Sequence, residues 1–169
     1  MKKTIFTLML LIPILGLSQE VKLNTKTASV SFVFEADNTK GTITGITASI
    51  ALNPMNLGSS VIKGSALVGA IDTGNKMRNK HLQSKEYFNA EKYPTMNFTS
   101  SSITKEGDDY KANGTLTIKG ITKEVSFTLK MEGEDMVFKT TVYASDFNIE
   151  VKKGREKNKV SVKVTVPKS

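Results

Sequence analysis

From Ser29 onward this chain repeats one pattern: a run of residues alternating between apolar and polar, then a turn. Val30, Phe32 and Phe34 alternate with Ser31 and Val33, and Ile46, Ala48, Ile50 and Leu52 alternate with Thr47, Ser49 and Ala51. Met96 and Phe98 follow the same rule, as do Tyr110, Ala112, Gly114, Leu116 and Ile118. Val125, Phe127, Leu129 and Met131 come next, then Met136, Phe138, Thr140, Val142 and Ala144, then Val160, Val162, Val164 and Val166. A period of two places one residue set on each face of a strand, whereas a helix would scatter the same residues around its axis. Turn signals separate the runs at residues 37–41, 106–109, 119–120 and 132–135. The segment from Ser60 to Ile71 is also read as a strand, and its Gly64, Ala66, Gly69 and Ala70 permit a sharp bend or leave room on the inner side.

About eight such strands, each with one apolar and one hydrophilic face, predict an all-β antiparallel protein. An antiparallel sandwich and an up-and-down barrel both satisfy the pattern. The inner faces mix large residues (Phe32, Phe34, Phe98, Phe127, Phe138) with small ones (Ala48, Ala66, Ala112, Gly114, Ala144). That mixture suits an elongated apolar cavity and a tapered packed core equally.

Only between Ile71 and Thr99 does the alternation fail over a long stretch, which also holds the sole His and one of the two Arg. Long connections in β proteins are exposed and carry function on a rigid frame, or close one end of a barrel. Asn75 to Leu82 reads as two helical turns, with Met77, His81 and Leu82 inward and Lys76, Asn79, Lys80 and Gln83 toward water. Ser84 reads as the N-cap of a second short helix through Phe88, with Glu86 in its first turn. The result would be an apolar lid at a barrel mouth, with Arg78 and His81 at the rim. Either residue could hold a polar head group, or simply close a hydrogen bond within the loop. Further on, residues 150–158 read as a charged, mobile loop.

Residues 1–18 read as a signal peptide: a basic start at Lys2 and Lys3, an apolar run from Ile5 to Leu15, then Gly16-Leu17-Ser18. The expected exported, periplasmic product is one domain over residues 19–169. Cysteine is absent, which excludes a lipid-modified N-terminus, disulfides and thiolate metal sites. The formal charge of +8 comes almost entirely from lysines spread over strands and turns, without the Arg and aromatic clustering of a nucleic-acid binder. One His and no strained G-x-S-x-G turn leave little for nucleophilic catalysis, and no His or carboxylate grouping suggests a metal. The expectation is a non-enzyme without cofactor.

Asp72-Thr73-Gly74-Asn75, Arg78, His81-Leu82, Tyr87-Phe88 and Lys92-Tyr93-Pro94-Thr95 together resemble the signature of the YceI-like family. Phe98-Thr99-Ser100 and the block from Gly114 to Val125 continue the resemblance in order and spacing. Ser29-Val30-Ser31-Phe32 and Ser145-Asp146-Phe147-Asn148-Ile149 extend it more loosely toward the ends. The resemblance implies an extended, lipocalin-like eight-stranded antiparallel barrel, exported to the periplasm and often dimeric. It also implies a polyisoprenoid or isoprenoid quinone bound along an apolar channel. The residues expected to line that channel are Phe32, Phe34, Ile46, Ile50, Met77, Leu82, Phe88, Met96, Phe98, Leu116, Ile118, Phe127, Leu129 and Phe138. Three departures stand out: Ala28-Ser29 replaces a His-Ser pair, a His common after the first strand is replaced in the Glu35-Ala36-Asp37 neighbourhood, and Arg78-Asn79 replaces Arg-Asp. Lipid sequestration or carriage, with transient membrane-surface contact and no nucleic acid, is the resulting expectation. The alternative is a filled barrel acting through its basic surface on an anionic partner or membrane.

Overall fold

The computed structural model describes residues 27–53 and 55–168, so the signal-peptide expectation lies outside the described residues. Ten strands form one antiparallel sheet: β1 (Ser29–Phe34), β2 (Thr39–Ile43), β3 (Thr47–Ala51), β4 (Val61–Leu67), β5 (Ile71–Asp72), β6 (Thr95–Glu106), β7 (Asp109–Ile118), β8 (Ile121–Glu132), β9 (Asp135–Tyr143) and β10 (Lys159–Val166). One helix, α1 (Lys76–Gln83), lies in the long connection between β5 and β6.

The order β3-β4-β6-β7-β8-β9-β10-β1-β2-β5 ends on β3 and β5, yet the chain joins those ends. Residues 44–46 separate β2 from β3, and a single 3-10 turn, Val68–Ala70, separates β4 from β5. β2 pairs with β5 (Ile43 opposite Ile71), and β3 pairs with β4 (Thr47 opposite Ser65 through Ala51 opposite Val61). Residues 39–51 and 61–72 therefore form one hairpin, broken at facing points. Counted as two strands rather than four, they close a ring of eight, a barrel rather than the sandwich that the pattern equally allowed. The breaks have a local cause. Gly45 takes φ +67°, and Val68 gives its N–H to the Pro94 carbonyl at 2.9 Å instead of to the ladder.

Elsewhere the ladder runs without such breaks. Lys119 and Gly120, at φ 52° and 75°, make the tight turn between β7 and β8, both in the left-handed region that such hairpins need. In β6, Ser101 is the extra residue of a bulge between Ser100 and Ser102. A Cβ on the facing Gly114 would stand 2.2 Å from the Thr99 carbonyl oxygen, so the bulge requires glycine there.

The strands pack one end of the barrel with Ile103, Ala112, Leu129, Met136 and Val166. Each large side chain so buried contributes roughly 1.5–3 kcal/mol. The other end gathers the turn after β1, the whole β5–β6 connection, the 119–120 turn and the segment from Ala144 to Asn158. That last segment is tightly tied, correcting the expectation of a mobile loop. Asn158 is fully buried; its Oδ1 accepts from the Val151 and Lys152 N–H groups, and its Nδ2 donates to the Lys152 and Gly154 carbonyls. The Arg155 guanidinium closes the same loop with two bonds to Asp146, at 2.8 and 2.7 Å, while lying over the Tyr143 ring.

Candidate binding cavity

Between the packed end and α1 the barrel encloses a cavity of about 310 Å³. Phe32, Phe34, Ile46, Ile50, Met96, Phe98, Leu116, Ile118, Phe127 and Phe138 lie on its wall, as the alternation places them, and Leu82 and Phe88 of the long connection join them. Phe98 and Phe127 meet edge to face on this wall, with ring centres 4.9 Å apart. Beside Phe98, Gly64, which lies between Ala48 and Phe98 in the ladder, leaves open space where a Cβ would be.

Two expected wall residues lie elsewhere. Leu129 does face inward, but two residues beyond Phe127 it sits in the packed end, 1% exposed, and touches no cavity. Met77 is 83% exposed. The cause is the phase of α1: Arg78 and Leu82, one turn apart, both face the cavity, which puts Met77 about 140° around the helix from Leu82. The same phase turns His81 outward. Its side chain is 60% exposed, its Nε2 lies 3.4 Å from a Glu86 carboxylate oxygen, and its ring stands edge-on to Tyr87. Of the two rim candidates, only Arg78 reaches the cavity.

The second short helix also gives way to turns. Ser84 caps the C-terminus of α1, donating its N–H to the His81 carbonyl, and residues 85–88 are turn. Asn75 caps the N-terminus of α1, its side-chain oxygen accepting from Arg78 N–H at 3.0 Å.

The mouth is built around Arg78. Its Nε donates to Thr73 Oγ1 and its Nη2 to the Thr73 carbonyl, both at 2.8 Å. Thr73 Oγ1 and N–H in turn donate to Asn79 Oδ1, at 2.6 and 2.9 Å. Asn79 completes the network by donating from Nδ2 to Asp72 at 2.9 Å. An amide serves here because it faces a hydroxyl on one side and a carboxylate on the other. Asp72 is held below the usual carboxylate range, chiefly by that Asn79 bond and then by the Gly74 N–H.

Asp37, across the mouth on the turn after β1, also lines the cavity and was not singled out from the sequence. Its carboxyl is lowered first by the Thr39 hydroxyl, then by the Thr39 N–H, and further by Lys152 and Arg78. Lys152 Nζ lies 3.9 Å from it. Phe147 and Ile149, fully buried after β9, complete the wall near the mouth.

Among the described residues no three His, Cys, Asp or Glu side chains converge as metal ligands. A wider groove of about 1130 Å³ runs over the outer face of β7 to β10, lined by Ser126, Thr128, Thr141, Ser161, Lys139 and Lys163. It is a hydroxyl- and lysine-covered strand face, chemically unlike the interior.

Fold and site together define a class: a single antiparallel barrel, packed at one end, whose apolar interior opens beneath a short helix at the other. The chain belongs to the YceI-like domain family, whose family model matches residues 21–167. A UPF0312 protein of Photorhabdus laumondii is 37% identical over 94 residues, covering 56% of this chain and 49% of that protein. The match thus spans about half the length of that relative. A UPF0312 protein of Pectobacterium atrosepticum is 29% identical over 136 residues, covering 75% of this chain and 71% of its own length. Among solved structures, Burkholderia cenocepacia BcnA superposes with a TM-score of 0.73 at 25% identity, over 88% of this chain and 100% of that one. A polyisoprenoid binding domain from Saccharophagus degradans does so with a TM-score of 0.59 at 13% identity, over 87% and 97%, a likeness of fold.

Proposed function

We propose that this protein binds the apolar chain of an isoprenoid lipid or isoprenoid quinone inside the barrel, and sequesters or carries it without chemistry. The observation that carries this is the cavity itself. About 310 Å³ would hold on the order of ten waters. Yet polar side chains on the wall gather mainly at the mouth, where Asp37, Thr39, Thr73 and Arg78 lie, so water deeper in would lack partners. A hydrocarbon chain has no such need, and each methylene it buries is worth about 0.8 kcal/mol. A branched, repetitive prenyl chain suits a wall of Phe, Ile, Leu and Met. The fold likeness to a domain described as polyisoprenoid-binding supports the same ligand class.

Arg78 supplies the polar end of the site. Two of its donors are fixed on Thr73, and Nη1 has no protein acceptor among the described residues. A quinone carbonyl or a prenyl phosphate oxygen would meet it as the chain threads inward. Export through residues 1–18, a periplasmic location and a homodimer belong to this reading. The open interior favours this reading over the filled-barrel alternative.

Native mass spectrometry of protein recovered from its own cells, followed by organic extraction, tests the proposal. A co-purifying prenyl lipid or quinone is expected. Bare protein that also refuses added isoprenoids would overturn it.

A further inference from the structure

Basic side chains without an acidic partner gather at the mouth of this barrel. Residues 73–85, at the mouth, contain Lys76, Arg78, Lys80 and Lys85 and no carboxylate. Lys152 and Lys153 follow on the facing loop. At the packed end, the 106–109 and 132–135 turns hold Glu106, Asp108, Asp109, Glu132, Glu134 and Asp135, and of these Glu106, Glu132 and Glu134 are paired with Lys111, Lys130, Lys139, Lys163 and Lys168. The carboxylates at the mouth are mostly engaged: Asp37 with Lys152, Asp72 with Asn79, Asp146 with Arg155 and Glu86 with His81. Lys76, Lys80 and Lys153 take part in no ion pair among the described residues.

Set among these lysines are two exposed apolar side chains. Met77 projects from α1 at 83% exposure, and Val151, 37% exposed, also lines the cavity, so the apolar wall continues outward over the rim. A basic ring around protruding apolar side chains is the composition of a surface that settles at the headgroup level of an anionic bilayer.

We infer that the mouth, through Lys76, Met77, Lys80, Val151 and Lys153, docks on an anionic phospholipid surface and there receives or delivers its ligand. This rests on the carrier reading for the second clause only; docking itself needs no bound lipid.

The test is co-sedimentation of the purified protein with vesicles of phosphatidylcholine alone or mixed equally with phosphatidylglycerol, for the wild type and for Lys76→Gln/Lys80→Gln. Both lysines are exposed on α1 and away from the cavity wall, so the variant keeps the fold. The expected result is binding to the mixed vesicles only, weakened by salt, with partitioning about thirtyfold lower in the variant. Met77→Ser should lower it further without changing the salt dependence. In parallel, affinity for geranylgeraniol is measured without vesicles and should be equal in wild type and variant. Transfer of geranylgeraniol from mixed vesicles should slow in the variant. Equal partitioning of wild type and variant would overturn the docking surface, and would show that other residues hold the bilayer. Failure of the wild type to bind either vesicle would overturn it too, including the case where an acidic protein binds Lys76 and Lys80 instead. Loss of geranylgeraniol binding with vesicle docking intact would sink the carrier reading and leave docking standing.

Discussion

The ring of Tyr93 lies on the backbone of Gly120: a Cβ at residue 120 would stand 2.7 Å from Tyr93 Cε1. The end of the long connection is thereby seated on the tip of the β7–β8 hairpin. Beside that contact, Lys119 donates from Nζ to the Glu86 and Asn148 carbonyls, both at 2.9 Å. Adjacent residues of one turn thus fasten two different segments over the mouth.

Gly120→Ala should be strongly destabilising, because it combines a φ of 75° with the Tyr93 clash. A loss of about 2 kcal/mol is expected from the backbone strain alone. Urea denaturation measures it. Adding Tyr93→Ala should not restore wild-type stability, since the strained φ persists; full rescue would show that the ring contact alone matters.

Lys119→Met removes both carbonyl contacts and keeps the aliphatic stem. The barrel should remain folded while the lid loosens, so bound isoprenoid should dissociate faster, by about tenfold if one charged hydrogen bond's worth of closure, roughly 1.5 kcal/mol, is lost. Stopped-flow displacement of a fluorescent prenyl analogue reads this directly. An unchanged off-rate would mean that the ligand leaves by another route.

Gly64→Val tests the cavity from the strand beside Phe98. The new side chain enters open space beside Phe98, and the strand no longer carries glycine's entropy cost of about 0.5–1 kcal/mol. Thermal stability should hold or rise while isoprenoid affinity falls at least about tenfold, the worth of two methylene contacts. Calorimetric titration is the check, and undiminished affinity would place the ligand elsewhere.

Asn79→Asp sets a carboxylate against Asp72 and removes the amide donor that now holds Asp72 low. The pair's folded pKa then rises above the unfolded value. The variant should match the wild type below the ordinary carboxylate range and fall behind as pH climbs through it. Melting curves across that range decide the point; a constant difference at all pH values would refute the electrostatic account.

Glu132, at the packed end, titrates at about 2 because Lys139 and then Lys163 donate to it, at 2.7 and 3.0 Å. A depressed carboxylate stabilises the fold above its unfolded pKa and loses that effect as pH falls through the folded one. Glu132→Gln should therefore differ most from wild type above about pH 4.5, and the gap should close toward pH 2. Salt should narrow it as well, since the group is only partly buried. A pH-independent gap would assign the effect to packing instead.

The strands and most of the cavity wall were legible because alternation is a direct consequence of backbone geometry. Phe32, Phe98, Phe127 and seven others needed only the period of two. The long connection was legible as a helix but not in its phase. The sequence shows no strong apolar stripe over Lys76–Gln83, so Met77, His81 and Leu82 looked equivalent. Arg78 decides the rotation, because Thr73 captures its guanidinium. Asp37 and Ile149 escaped notice because they lie in turns, where no periodicity marks which side faces in. Asn158 looked like one more loop residue, since the four hydrogen bonds that bury it come from backbone groups that carry no sequence signature.

The facing breaks at residues 44–46 and 68–70 give the wall a mechanical weak line. A continuous hydrogen-bonded ring has a nearly fixed circumference, and this one is continuous except where Gly45 and the Val68–Ala70 turn oppose each other. Strain from a thicker guest would gather at that line, leaving the strand pairs around the rest of the ring undisturbed. The girth of what the barrel accepts is then governed by a few residues on one side, independently of the Phe-rich wall that makes the interior apolar.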